Sequence, residues 1–123
     1  MIAGSPLIGY GPDTYGVVYA QFYPTTAEES AENITSWDPH NLILAQMTSS
    51  GILGLLAFGW IVFTFCQRVY LQARYSDLGE IHLLAAALLA SVTAYLVQSQ
   101  FNPSGLVALV IFWLVMGIGC GLK

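Results

Sequence analysis

One histidine stands where the sequence favours acid-base chemistry. His40 follows Asp38 and Pro39 and precedes Asn41, and histidine is the side chain whose ordinary pKa lies closest to neutral pH. Asp38 is a plausible N-cap, and Pro39 suits the first position of a helix. His40 and Asn41 are then predicted in the first helical turn, where backbone N-H groups can also receive an anion. The helix dipole favours a neutral imidazole, whereas Asp38 favours a charged one. Two interpretations of His40 therefore stay open: a general base, and a structural residue at the membrane interface.

The residues before His40 have the pattern of a loop with short helices. Gly9, Gly11 and Pro12 interrupt regular structure, and Tyr-Gly-Pro-Asp (10–13) predicts a turn. Two overlapping Thr-x-x-Glu boxes predict a short acidic helix from Thr25 to Asn33. The segment 1–40 is therefore predicted to be a loop that leads into the next helix.

The rest of the chain has the composition of a membrane protein. Of 123 residues, 56% are hydrophobic and 8% charged, and the mean hydropathy is +0.67. Two stretches, 42–67 and 81–122, contain no Asp, Glu, Lys or Arg, which exceeds the length of ordinary core helices. We therefore expect an all-α polytopic membrane protein with three transmembrane helices. The predicted order is loop 1–40, helix 41–67, loop 68–81, helix 82–99, turn 100–104 and helix 105–123.

Cations predict the orientation of these helices. Arg68 and Arg74 both lie in the loop 68–81, and Lys and Arg concentrate on the cytoplasmic side of membrane proteins. The loop 1–40 and the turn 100–104 are then outside, and Lys123 is inside.

The pairs Ala87 with Ser91 and Ala90 with Ala94 have the small-xxx-small spacing that favours close helix packing.

Composition also limits the partners and the role of the thiols. Because Arg68 is the first cation and no basic patch exists, a nucleic-acid partner is excluded. Cys66 and Cys120 lie in or beside apolar runs and are interpreted as small hydrophobic residues rather than a disulfide or metal pair. Membrane lipid is the expected surrounding.

Three segments, in this order, resemble the O-antigen ligase and O-antigen polymerase superfamily. They are Pro-Leu-Ile-Gly-Tyr-Gly-Pro-Asp-Thr-Tyr (6–15), Pro-His-Asn-Leu-Ile-Leu (39–44) and Ser-Gly-Ile-Leu-Gly-Leu (50–55). The first two are similar to parts of the family's large periplasmic loop, and the third to the helix that follows. Phe-Asn-Pro (101–103) matches the short outer turn, so the resemblance covers essentially the whole chain.

The resemblance implies a metal-independent glycosyltransferase of the bacterial inner membrane that needs no cofactor. Such an enzyme moves a glycan from an undecaprenyl diphosphate carrier to lipid A core, another glycan repeat or a protein. It implies that His40 is the base for the acceptor hydroxyl and that Asn41 orients it. Gly9 and Gly11 would shape the loop, and Asp38 joins them among the substrate-binding residues.

The family holds the donor diphosphate with outer-side arginines, and the segment 1–67 has none. The chain is therefore expected to be the C-terminal part of a larger protein, to lack an N-terminal transmembrane portion, and to be inactive alone. Two other functions stay open: a bicarbonate-transport-like role, which the charge-free spans disfavour, and a non-catalytic membrane subunit that tolerates His40→Ala.

Overall fold

The computed structural model describes residues 2–22, 39–102 and 105–121. Within these ranges all regular secondary structure is helical, which confirms the all-α part of the predicted fold class. A short 3₁₀ turn, Ile2–Gly4, precedes four α-helices, which are α1 (Tyr15–Phe22), α2 (Leu42–Tyr75), α3 (Gly79–Gln98) and α4 (Leu106–Gly121). The helix predicted from Thr25 to Asn33, and Asp38 with it, lie outside the described residues.

The predicted loop 68–81 is mostly helical. α2 continues to Tyr75 and α3 begins at Gly79, so only residues 76–78 lie outside the two helices. Residues 67–75 contain no Gly or Pro, and Arg, Gln, Leu and Ala are good helix formers. The charged residues therefore indicate where α2 can leave the lipid, but the helix itself continues beyond them.

Two of the helices are long and apolar enough to cross a membrane. The most apolar stretch of α2 has a mean hydropathy of 1.8 and that of α3 has 1.7. Only 11% and 17% of these stretches are buried within the described protein, so most of their apolar surface faces outward. α4 is also apolar but has 16 residues, which corresponds to about 24 Å of helix.

The chain forms two compact units, residues 1–57 and 58–123. In the second unit α3 packs against α4, and the core combines these two helices with the second half of α2. Phe112 stacks on Tyr95 with ring centroids 4.4 Å apart. The buried core residues are Phe65, Val69, Ala85, Leu88, Val92, Phe112 and Met116, and Cys66 packs against them as a small hydrophobic residue.

The face of α3 that packs differs from the predicted one. The small residues that suggested close packing, Ala87, Ala90, Ser91 and Ala94, are exposed. α3 instead buries Ala85, Leu88 and Val92, whose two larger side chains offer more van der Waals contact. A close approach occurs instead between α4 and α2, at Gly119 of α4, where an added Cβ would lie 2.9 Å from Cζ of Phe65 in α2.

Candidate functional site

The first unit contains a break in α2. Gly51 has φ 66° and ψ −166° inside an otherwise helical run, a backbone conformation that essentially only glycine adopts. The break divides α2 into two helical segments, 42–50 and 52–75. Each segment then has terminal backbone groups without an intrahelical partner.

The N-terminal residues supply those partners. We call residues 2–11 the strap. Its amide N-H groups at Tyr10 and Gly11 donate to the carbonyls of Thr48 (2.8 Å) and Ser49 (2.9 Å), at the end of the first helical segment. At the start of the second segment, the N-H groups of Ile52 and Leu53 donate to the carbonyls of Pro6 (2.9 Å) and Leu7 (3.3 Å). The strap thus caps both sides of the break with backbone atoms alone.

Two glycines make this crossing possible. A Cβ on Gly9, whose φ is 69°, would lie 2.6 Å from the carbonyl carbon and oxygen of Ser49. A Cβ on Gly51 would collide with the carbonyl of Leu7 and would lie 2.6 Å from the amide nitrogen of Ile8. Because the atoms in the way belong to the backbone, the crossing excludes any side chain at either position.

Gly54, three residues after Gly51, leaves room for the side chain of Ser50. A Cβ on Gly54 would collide with the hydroxyl group and Cβ of Ser50. The Ser50 hydroxyl donates to the carbonyl of Gln46 (3.0 Å) and accepts from the Gln46 side-chain amide (2.8 Å). Both glycines of the motif 50–55 therefore belong to the break, since Gly51 forms it and Gly54 leaves room beside it.

His40 lies before the helix and not in its first turn, which corrects the predicted position. Asn41 is the N-cap: its side-chain Oδ1 accepts from the N-H of Leu44 (3.0 Å) and its carbonyl from the N-H of Ala45 (2.9 Å). His40 is exposed and has a left-handed backbone, with φ 50°, which is uncommon for a residue other than glycine.

The N-cap role of Asn41 gives a stability prediction. Asn41→Ala removes the acceptor for the Leu44 amide and is expected to destabilise the protein by about 1 kcal/mol. Asn41→Ser should keep most of the stability, because serine caps helices nearly as well. Denaturant unfolding in detergent, with hydrogen exchange at the Leu44 amide, measures both. Equal stability and equal exchange in the alanine variant would contradict the N-cap assignment.

Gly11 lies at the end of the strap and is the second residue of the predicted turn 10–13. Its φ is 103°, and its carbonyl accepts from the hydroxyl of Thr14 (2.7 Å). The turn itself, at Pro12 and Asp13, is confirmed. α1 follows directly and was not predicted from the sequence, because its glycine is a poor helix former and its two adjacent valines favour strands.

The structure joins some of the predicted site residues and separates others. Gly9 and Gly11 belong to the crossing, whereas His40 and Asn41 lie at the opposite end of the helical segment 42–50. At about 1.5 Å per residue this segment is roughly 13 Å long. A rigid helix therefore connects the histidine to the crossing. Gly51 ends this helix, and the sequence marked it only as part of the motif 50–55.

A groove in the second unit contains none of the predicted site residues. It lies between α3 and α4, has a volume of about 220 Å³ and is lined mainly by apolar side chains, with Ser91, Tyr95 and Gln98 as its polar groups. The other polar residues at this end of α3 do not line it: the Gln100 side-chain amide donates to the carbonyl of Leu96 (3.1 Å). Among the described residues, no group of three or more His, Cys, Asp or Glu could hold a metal ion.

Comparisons of this chain with protein-family models, with curated proteins and with solved structures gave no match. The resemblance to the O-antigen ligase and polymerase superfamily therefore stays a prediction from the three sequence segments. The candidate site is the crossing at Gly51 together with the helical segment 42–50 and the histidine that precedes it.

Proposed function

We propose that this chain is part of a membrane glycosyltransferase of the O-antigen ligase or polymerase type. In this proposal α2, α3 and α4 all cross the bacterial inner membrane, with residues 1–40 on the periplasmic side. The donor is a glycan on undecaprenyl diphosphate, and the acceptor is a hydroxyl group of another glycan or a lipid. His40 is the catalytic base.

The crossing of the strap with α2 is the observation that supports this proposal most. The segments 6–15 and 50–55, which carry much of the sequence resemblance, are separated by more than thirty residues. Two of the four backbone hydrogen bonds of the crossing join these segments directly, and the other two reach Thr48 and Ser49, just before 50–55. At this point both Gly9 and Gly51 must lack a side chain. The motif residues therefore have a shared structural reason to occur together.

The position of His40 suits a base. Its side chain is exposed, and Asn41 fixes the end of the helix beside it. In the proposed reaction the acceptor hydroxyl attacks the anomeric carbon of the donor sugar while its proton passes to the imidazole of His40. The bond between that carbon and the diphosphate oxygen breaks, and undecaprenyl diphosphate leaves with the electron pair.

The donor diphosphate needs positive groups that the segment 1–67 does not contain, since the first cation of the chain is Arg68. Stabilising the charge of a leaving group is usually a large part of catalysis. In the proposal, outer-side arginines from outside these 123 residues supply it. We expect the 123-residue chain expressed alone to give no glycan transfer.

Measuring the two glycan pools in native cells tests the proposal. Deleting the gene should make carrier-linked glycan accumulate and should remove the same glycan from its acceptor, because transfer is the step that connects the two pools. Mass spectrometry of extracted lipids and of the surface polysaccharide measures both. Unchanged pools would contradict glycan transfer, and a growth defect relieved by added bicarbonate would favour the transport function.

The proposed orientation predicts which residues react from outside the cell. In a protein without its native cysteines, Asn102→Cys should react with a membrane-impermeant maleimide in intact cells. Asp77→Cys should react only after the membrane is permeabilised. Both positions are exposed, so their reactivity reports the side of the membrane. The reverse pattern would place the histidine in the cytosol, away from any periplasmic donor.

A further inference from the structure

The strap has the properties of a segment that lies in lipid. Its side chains at Leu7 and Ile8 are 61% and 71% exposed. Residues 2–12 contain no charged side chain, and Asp13 is the first. In the same unit, Leu53 and Leu56 of α2 are 56% and 62% exposed. Exposed apolar residues therefore occur both on the strap and on the part of α2 to which the strap is bonded.

The length of α2 places the crossing at membrane depth. The charge-free stretch of α2 ends at Gln67, and Arg68 follows. From Ile52 to Gln67 the helix is about 24 Å long, whereas a hydrocarbon core is about 30 Å thick. Because moving Arg68 into the core is costly, the core must extend in the other direction by about four residues, to the level of Thr48. The crossing with the strap lies at this level.

Backbone hydrogen bonding satisfies the break in α2 at this depth. Inside the hydrocarbon, irregular backbone is tolerated only where protein covers it or where it lines a water-filled cavity. The strap covers the break and supplies hydrogen-bond partners at residues 48, 49, 52 and 53 of α2. It also bonds to itself, since the amide of Gly9 donates to the carbonyl of Ser5 (3.1 Å) and the hydroxyl of Ser5 donates to the carbonyl of Gly9 (2.8 Å).

We infer that the strap, residues 2–11, is embedded in the outer hydrocarbon boundary of the bilayer, with Leu7 and Ile8 in contact with lipid acyl chains. This inference rests on the membrane topology of the proposed function. It assigns the first part of the predicted periplasmic loop to the membrane rather than to water. The chain therefore returns from the lipid after Gly11, and only the following residues face the periplasm.

Depth-dependent quenching of a fluorophore tests this assignment. In the full-length protein with all native cysteines, Cys66 and Cys120 among them, replaced by alanine, single cysteines at Ile8, Gly59 and Asp77 carry the same environment-sensitive NBD probe. Gly59 is a reference in the apolar part of α2, where an added side chain meets no other atom within 4 Å. Asp77, exposed between α2 and α3, is the aqueous reference. Vesicles of phosphatidylcholine and phosphatidylglycerol contain lipids with a doxyl quencher at a shallow or a deep acyl position.

The inference predicts that the Ile8 probe is quenched by the shallow doxyl lipid and is protected from aqueous iodide, whereas the Asp77 probe shows the opposite. The Gly59 probe should be quenched by doxyl lipid and protected from iodide. If iodide quenches Ile8 while Gly59 remains in lipid, the strap lies in water and the inference is wrong, although α2 still spans the membrane. If iodide also quenches Gly59, the proposed topology fails as well. A probe at Leu7→Cys repeats the measurement should the Ile8 variant not fold.

Discussion

His40→Ala is expected to reduce glycan transfer by about 10²- to 10⁴-fold, the range that a positioned general acid or base contributes. The imidazole is the proposed acceptor of the proton that leaves the attacking hydroxyl. His40 is exposed and precedes the helix, so the amount of folded protein must be measured beside the activity. The measurement is surface polysaccharide in cells that carry the substitution in the full-length protein, with the protein quantified by immunoblot.

The chain provides a matched control for this substitution. His82, the other histidine, is also exposed and lies in the first part of α3, and its Nδ1 lies 3.2 Å from the carbonyl oxygen of Leu78. His82→Ala should leave the glycan level unchanged. A normal glycan level in His40→Ala, at a normal protein level, would contradict the catalytic role and would favour transport or a non-catalytic subunit.

Hydropathy and helix propensity were sufficient to predict most of the helices. The predicted third helix, 105–123, contains α4, Leu106–Gly121, because the segment is uniformly apolar and follows Pro103. The break at Gly51 could not be predicted in this way. A glycine inside an apolar helical pattern suggests only a cost of about 1 kcal/mol relative to alanine, and many helices tolerate that.

The candidate site was less predictable than the helices because its main contacts carry no side-chain signal. The strap bonds to residues 48–53 through backbone atoms, so no pattern of polar residues marks the pairing. The start of α2 was predicted from Asp38 and Pro39, whereas the N-cap in the structure is Asn41. The left-handed φ of His40 prevents a helix from running through it, and this choice is not visible in residue types.

Gly51→Ala is expected to destabilise the protein by about 3 kcal/mol or more. The φ and ψ angles of Gly51 lie in a region where other residues are strained by about 1–3 kcal/mol. In addition, the new Cβ would collide with the carbonyl of Leu7, so the strap would have to move and its hydrogen bonds to α2 would be lost. Unfolding by SDS in mixed micelles measures the stability. Hydrogen exchange at the amides of Tyr10, Gly11, Ile52 and Leu53 measures the crossing directly.

Gly59→Ala provides the opposite result in the same helix. Gly59 is helical, and an added Cβ there meets no other atom within 4 Å, so alanine should stabilise the protein by up to about 1 kcal/mol. The pair separates the general effect of glycine on helix stability from the specific need at the crossing. If Gly51→Ala were as stable as Gly59→Ala and the four amides kept their protection, α2 would not be broken at Gly51. The strap would then have no backbone groups to cap, and neither the proposed function nor the lipid position of the strap could rest on the crossing.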